Sequence, residues 1–236
     1  ASHIPAWAAP LSDLDLIAQQ KLEPAIVTLY RRLERLTSTA TIMTTGAHPD
    51  DEPSAMLAAL RHVYGIHPVV YAITRGEGGQ NSIGPELGSV LGVLRTREME
   101  EASRSLDASL AFGSFGHTDS VHDFGFSKDP NETIDQWGRD KIVERMTAAF
   151  RKYKPDIIMN CFLDVPGQHG HHRAANVATF IAAELSGNPQ EFPDQIAGGL
   201  DTWEVPKIYQ PAYGGGGGVY DDEVPPPPVT LVVTAP

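Results

Sequence analysis

Two short segments of the chain hold the side chains best suited to chemistry. The first is His48-Pro49-Asp50-Asp51-Glu52. A neutral imidazole and a carboxylate are good ligands for zinc, and three protein ligands leave one position open for water or substrate. Adjacent carboxylates can divide the labour, one binding the metal while the other takes a proton from the attacking water. An isolated Asp-Asp-Glu more often caps a helix, with Asp50 or Asp51 accepting its first free amides. His48-Pro49 ahead of it shifts the balance toward a metal. The second segment is Gly167-Gln168-His169-Gly170-His171-His172-Arg173. Three of the nine histidines fall within four positions here. Histidine is the commonest metal ligand and changes charge near neutral pH. One histidine from this group would complete a three-ligand site with His48 and Asp51.

The elements that must position these segments follow from hydrophobic periodicity. Residues 11–38 carry apolar residues at helical spacing (Leu11, Leu14, Ile17, then Ile26, Leu29, Leu33, Leu36), and Pro24 suits the first turn of a second helix. A buried strand over 40–46 runs into His48, and a helix follows over about 54–63. Further strands are predicted over 69–74, 109–115 and 157–161, and further helices over about 94–107, 134–153 and 173–186. Alternating strands and helices predict an α/β fold, a Rossmann-like three-layer sandwich with a mostly parallel sheet and helices on both faces. In such sheets ligands bind beyond the carboxyl ends of the strands. Segments 48–52 and 169–172 both follow predicted strands.

The chain is read as an N-terminal helical segment over 1–39 that packs on the main domain, a domain over 40–210, and a tail or linker over 211–236. The last part holds five consecutive glycines, Gly214 to Gly218, and four prolines, Pro225 to Pro228. Such runs make flexible and semi-rigid linkers respectively, so further domains of a longer chain are an open expectation. The sequence starts Ala1-Ser2-His3 without Met, which leaves a processed secreted or periplasmic protein and a cytoplasmic one equally open.

Composition excludes several function classes. With 236 residues and a net charge of −12, the chain is large enough to bury a core and too acidic for a phosphate-backbone partner. No apolar run approaches the ~18 residues of a membrane span. A single cysteine, Cys161, rules out an internal disulfide framework and reads best as a small buried hydrophobe. No Gly-x-Ser-x-Gly elbow is present for a serine hydrolase. Arg75-Gly76-Glu77-Gly78-Gly79-Gln80 lacks the spacing of a phosphate or dinucleotide loop and is expected to form a flexible rim of the site. Trp137 and Trp203 suit sugar stacking or core packing equally. His117, Asp119, His122 and Asp129 make a polar, lid-like loop.

Taken together, His48-Pro49-Asp50-Asp51-Glu52 and His169-x-x-His172 resemble the two motifs of the PIG-L/LmbE-like N-acetylglucosaminyl deacetylases, over about residues 40–186, with Pro206-Lys207-Ile208-Tyr209 as a last strand. The resemblance implies a Rossmann-like hydrolase that removes the acetyl group from an N-acetylglucosamine-type sugar or glycoconjugate, using zinc or another divalent metal. It implies that His48, Asp51 and His172 bind the metal, that Asp50 is the general base, and that His169 stabilises the oxyanion or protonates the leaving amine. Arg95, in Arg95-Thr96-Arg97-Glu98, matches a family arginine that reaches the sugar, although it could equally pair with Glu98 or Glu100 on its own helix. Asp123, in Asp123-Phe124-Gly125-Phe126, matches an aspartate that binds a substrate hydroxyl. One position departs: many members read His-Pro-Asp-His in the second motif, whereas His171 stands here in place of the aspartate that orients the first histidine. The alternatives are an amidase of the same chemistry on a different amide, and a non-catalytic carbohydrate-binding module that keeps the fold.

Overall fold

The computed structural model of the chain describes residues 24–79, 81–116 and 118–211. Its sheet has five parallel strands: β1 Thr41–Gly46, β2 His67–Ala72, β3 Ser109–Phe112, β4 Ile157–Asn160 and β5 Ile208–Tyr209, in the order β3-β2-β1-β4-β5. Register is set by pairs such as Met43 with Val69 and with Ile158. The chain steps outward from β1 to β3, then returns to the other side of β1 for β4. That reversal makes β1/β4 the switch point, where the loops after the two strands diverge and open a crevice.

The crossovers are α2 Ser54–Tyr64, α3 Gly88–Leu106, α4 Pro130–Trp137 with α5 Arg139–Tyr153, and α6 Gly170–Ser186 with the short α7 Pro193–Ala197; α1 Ala25–Glu34 precedes the sheet. Alternate strand residues face opposite layers. Ile42 and Val70 pack with Leu57, Met99 and Leu106 of α2 and α3. Met43, Val69, Tyr71 and Ile158 pack with Trp137, Ile142, Met146, Phe150 and Ala178 of α4, α5 and α6. These two cores give the three-layer sandwich expected from the alternation of elements. Behind the switch point, Thr45 donates to Asn160 at 2.7 Å and receives from Thr179 at 3.0 Å, so β1, β4 and α6 are tied together beneath the site.

Several boundaries differ from the periodicity, each for a physical reason. The helix expected over 134–153 is two helices, because Gly138 takes φ +84°, a conformation that ends a helix and is unstrained only in glycine. The helix expected from 94 starts at Gly88, and the strand expected through 115 ends at Phe112. The helix expected from 173 starts at Gly170, with His169 at its N-cap, so His171 and His172 lie in its first turn and not in a loop. Ile26, Leu29, Leu33 and Leu36 remain exposed, and α1 buries none of its residues. The helix predicted around Leu11 to Ile17 and the Gly/Pro-rich tail lie outside the described residues. Arg151, wholly buried, donates to the carbonyls of Leu185, Ser186 and Asn188 and thereby closes the carboxyl end of α6. No helix among the described residues is long and apolar enough to cross a membrane.

Candidate active site

The site grows from the ends of β1 and β4. Gly46 closes β1, and a Cβ there would meet Asp51 Cβ at 2.7 Å, so only glycine lets the turn fold back this closely. Asp51 uses one oxygen for the fold: Oδ2 accepts the Ala47 and His48 amides at 2.6 and 2.9 Å. Its other oxygen, Oδ1, lies 3.6 Å from His48 Nδ1 and 3.3 Å from His172 Nε2, and those two nitrogens are 3.1 Å apart. Tetrahedral ligands about 2.0–2.1 Å from a zinc ion lie about 3.4 Å from one another, so the three atoms have the mutual spacing of a zinc-binding set.

The tautomers support the same reading. His172 donates from Nδ1 to Gln168 Oε1 at 3.0 Å, which leaves the lone pair of Nε2 turned toward His48 and Asp51. Its ring is stacked flat on Phe162, with centroids 3.7 Å apart. Two imidazole nitrogens and a carboxylate oxygen thus converge on one point, an arrangement that favours a shared proton or cation between them. Burial alone would push the Asp51 carboxyl up, but His48 and His172 outweigh it and hold the group well below the usual carboxylate range. Two other groups also have metal-ligand proximity: His48 with His169 and His172, and His48 with Asp123 and His171.

Asp50 stands apart from this cluster. Its side chain is 58% exposed and pairs with Arg95 at 2.9 Å, and its backbone has φ +101°, which strains any residue but glycine. Partial burial raises its pKa against the pull of Arg95. Arg95 itself is buried and spoken for, since it also donates to the carbonyls of Pro49, Gly76 and Gly79. It makes no pair on its own helix; Arg97 pairs with Glu100 instead. Two clefts adjoin it, one of about 210 Å³ that includes Asp50 and Glu98, and one of about 410 Å³ walled by Asn81, Ile83, Glu86 and Leu94. A larger cavity of about 520 Å³ lies along β3 and α5 and touches none of the histidines.

His169 is placed differently from what an acid requires. Its Nε2 donates to the Gly125 carbonyl at 3.0 Å, while Nδ1 is buried without a partner. Burial, with His48 and His172 nearby, pushes its pKa down to about 4. His169 is therefore neutral near pH 7 and has no nitrogen free to donate into the site. Asp123 is likewise turned inward: it is 8% exposed, and Oδ1 accepts the Gly125 amide at 2.9 Å.

The remaining sequence candidates have structural roles. The glycine-rich segment is not a loose rim in its middle: Glu77 is buried and accepts the amides of Arg75 and Asp123, each at 3.1 Å. Trp137 is fully buried and donates to His122 O, and Trp203 donates to Pro155 O. Asp119 pairs with Arg145, and Asp129 caps α4; His117 lies outside the described residues. Burial pushes the Cys161 thiol well up, as do Asp51 and Glu52, which keeps it protonated. Gln168 and Phe162 were not singled out from sequence. Gln168 sits inside the second motif, so its place was the only signal, and Phe162 left none.

Comparison with known proteins adds to this geometry. A family model described as PIG-L, GlcNAc-PI de-N-acetylase, matches residues 43–183, which hold both motifs. Among solved structures, the chain is similar to GalB, the 4-carboxy-2-hydroxymuconate hydratase of Pseudomonas putida, with TM-score 0.52 and 16% identity over 75% of this chain and 67% of that one. It is also similar to the N,N'-diacetylchitobiose deacetylase of Pyrococcus horikoshii, with TM-score 0.51 and 17% identity over 78% of this chain and 67% of that one. No curated protein matches the chain well enough to count as a relative. One of these structures is named for a hydratase and the other for a deacetylase, so the fold they share does not choose a reaction.

Proposed function

The chain belongs to the PIG-L family, and on that premise we propose that it is a metal-dependent hydrolase that removes the acetyl group from an N-acetylglucosamine-type sugar or glycoconjugate. The observation that carries this reading is the convergence of His48 Nδ1, Asp51 Oδ1 and His172 Nε2 at 3.1–3.6 Å, with the exposed Asp50 carboxylate one residue before Asp51 in the same turn. A binding module that merely kept the fold has no need of a second, strained carboxylate next to a ligand set.

His48, Asp51 and His172 would hold the cation, with zinc the first choice for two nitrogens and one oxygen. Bound there, the cation would supply Lewis-acid polarisation of the acetyl carbonyl and would acidify the attacking water. The proton chemistry falls to Asp50. Its carboxylate takes the proton from water as oxygen adds to the carbonyl carbon, and it returns that proton to the nitrogen as the C–N bond breaks. One proton taken and one returned balance the step and yield acetic acid and the amine; the acid then ionises to acetate, its proton passing to the amine or to solvent. Arg95 holds the Asp50 carboxylate in place through their pair at 2.9 Å. His169, neutral and tied to Gly125, holds the loop over 123–126 against α6, and this role replaces the acid that the family resemblance suggests. The cleft walled by residues 81–86 and Leu94 would receive the body of the substrate.

An acetate-release screen over N-acetylated mono-, di- and lipid-linked sugars tests the reading, with the zinc-loaded protein and Asp50→Asn run in parallel. Acetate from at least one class with wild type and none with Asp50→Asn is the expected result. Metal analysis should find about one zinc per chain, lost in His48→Ala. No acetate from any class, or full activity in Asp50→Asn, sinks the assignment.

A further inference from the structure

His171 poses a problem that the reaction above leaves open. It is fully buried, its ring meets Phe124 edge-on at 4.3 Å and lies 5.2 Å from Trp137, and its Nε2 has no hydrogen-bond partner. An apolar side chain would fill such a place without leaving a polar atom unpaired. What the histidine does have is its other nitrogen, Nδ1, 3.1 Å from His48 Nε2 and 3.4 Å from Asp123 Oδ1. Asp123 Oδ2 in turn lies 3.7 Å from His48 Nε2.

We propose that His171, backed by Asp123, is a positioning residue that sets the tautomer of His48: Nδ1 of His171 accepts the His48 Nε2–H, which leaves the His48 Nδ1 lone pair facing Asp51 and His172. Proton counting fixes the direction of this hydrogen bond. Two imidazole nitrogens 3.1 Å apart share either a proton or a cation: with the cation between His48 Nδ1 and His172 Nε2, the proton lies between His48 Nε2 and His171 Nδ1. If His171 donated it, His48 would carry its own proton on Nδ1 and could not serve as a ligand there. Asp123 lies near both nitrogens, 3.4 Å from His171 Nδ1 and 3.7 Å from His48 Nε2, so it favours a proton between them, and the cation at His48 Nδ1 decides that His48 is the donor. The other histidine ligand is held in the same way, with His172 Nδ1 donating to Gln168 Oε1. Each ligand imidazole then has its distal N–H engaged, the arrangement that orients metal-binding histidines generally. Asp123 is thereby drawn inward, away from the substrate hydroxyl that the family resemblance assigns to it.

The main rival is a second cation, held by His48, Asp123 and His171. A neutral imidazole has a single lone pair, so His48 cannot serve both sets without losing its last N–H. The inference rests on the cation-binding set proposed above, and its test separates the two. Zinc affinity is measured by chelator competition for wild type, His171→Leu and His171→Asn, alongside far-UV circular dichroism of the metal-free proteins. Asparagine keeps an acceptor near the position of Nδ1, and leucine keeps volume without one. A ~10–100-fold loss of zinc affinity in His171→Leu that His171→Asn largely restores is the expected result. Unchanged affinity in a folded His171→Leu, or equal losses in both variants, overturns the proposal, and so does a stoichiometry of two zinc ions per chain. Long-range proton–nitrogen correlation spectra of the zinc-loaded wild type decide the matter even if neither variant folds. His48 should carry its proton on Nε2, and a proton on Nδ1 overturns the proposal. If wild type binds no zinc, both readings fall; if zinc is lost in His48→Ala but not in folded His171→Leu, only this one does.

Discussion

Arg95 meets Asp50 at 2.9 Å, and the same guanidinium takes the carbonyl of Pro49, the residue just before it. One buried side chain thus holds both the carboxylate and the backbone of the turn that carries it. This grip depends on a planar fork with several donors, which lysine lacks. On the proposed function, Arg95→Lys is expected to bind zinc as wild type does, because none of the three proposed ligands pairs with Arg95, yet to lose about 10–100-fold in kcat from a misplaced base. Parallel metal analysis and acetate kinetics check it. A variant that retains full kcat would return Arg95 to a purely structural role.

Asp50 carries a strained backbone at φ +101°. Glycine adopts that conformation freely, whereas an L side chain there costs on the order of 1 kcal/mol or more. Asp50→Gly should accordingly abolish acetate release while leaving thermal stability equal to wild type or higher. Asp50→Asn should be inactive without that gain. Melting curves of the two variants separate strain from charge; a clear loss of stability in Asp50→Gly would contradict the strain argument.

His169 offers a sharper contrast with the family pattern. With Nε2 donating to Gly125 O and a pKa near 4, it holds no proton to give at neutral pH. His169→Ala is expected to cost less than about tenfold in kcat, from a loosened loop, against the ~10²–10⁴-fold typical when a general acid or base is removed. A loss in that larger range would restore His169 as the acid.

Asp119 ties the loop after β3 to α5. It accepts the amides of Phe115 at 2.8 Å and Val121 at 3.1 Å and pairs with Arg145 at 2.5 Å. Burial raises its pKa, but these hydrogen bonds and the Arg145 charge outweigh it, so the folded-state pKa lies below the unfolded one. The stabilisation is therefore complete above the unfolded value of about 3.9 and disappears as pH falls through the folded value. Asp119→Asn should destabilise the protein by about 1–3 kcal/mol at pH 7, with the gap to wild type closing below about pH 4. Urea unfolding at both ends of that range is the check. A gap that persisted at low pH would mean the loss was one of shape and not of charge.

The alternation of apolar strands and amphipathic helices was readable along the chain because burial imposes its period locally, residue by residue. His48, Asp51 and His172 stand out as candidate ligands for a related reason, since ligand type and motif spacing are properties of short segments. Helix ends were less legible: the break at Gly138 and the start of α6 at Gly170 depend on backbone conformations that several residues share as options. The long-range partnerships were beyond the sequence altogether. His48 and His171 stand 123 positions apart, and Arg95 and Pro49 46 apart. Nothing local says that they meet, because their meeting follows from strand order: β4 returns beside β1, and the loops above both converge on one crevice. Residue chemistry thus singled out the candidate ligands and the candidate base, while the packing of distant loops decided which nitrogen of His48 lies near Asp51 and His172, what holds Asp50, and what engages Asp123 and His169. Short-range patterns specify what a side chain can do; only the assembled sheet brings its partner within hydrogen-bond reach.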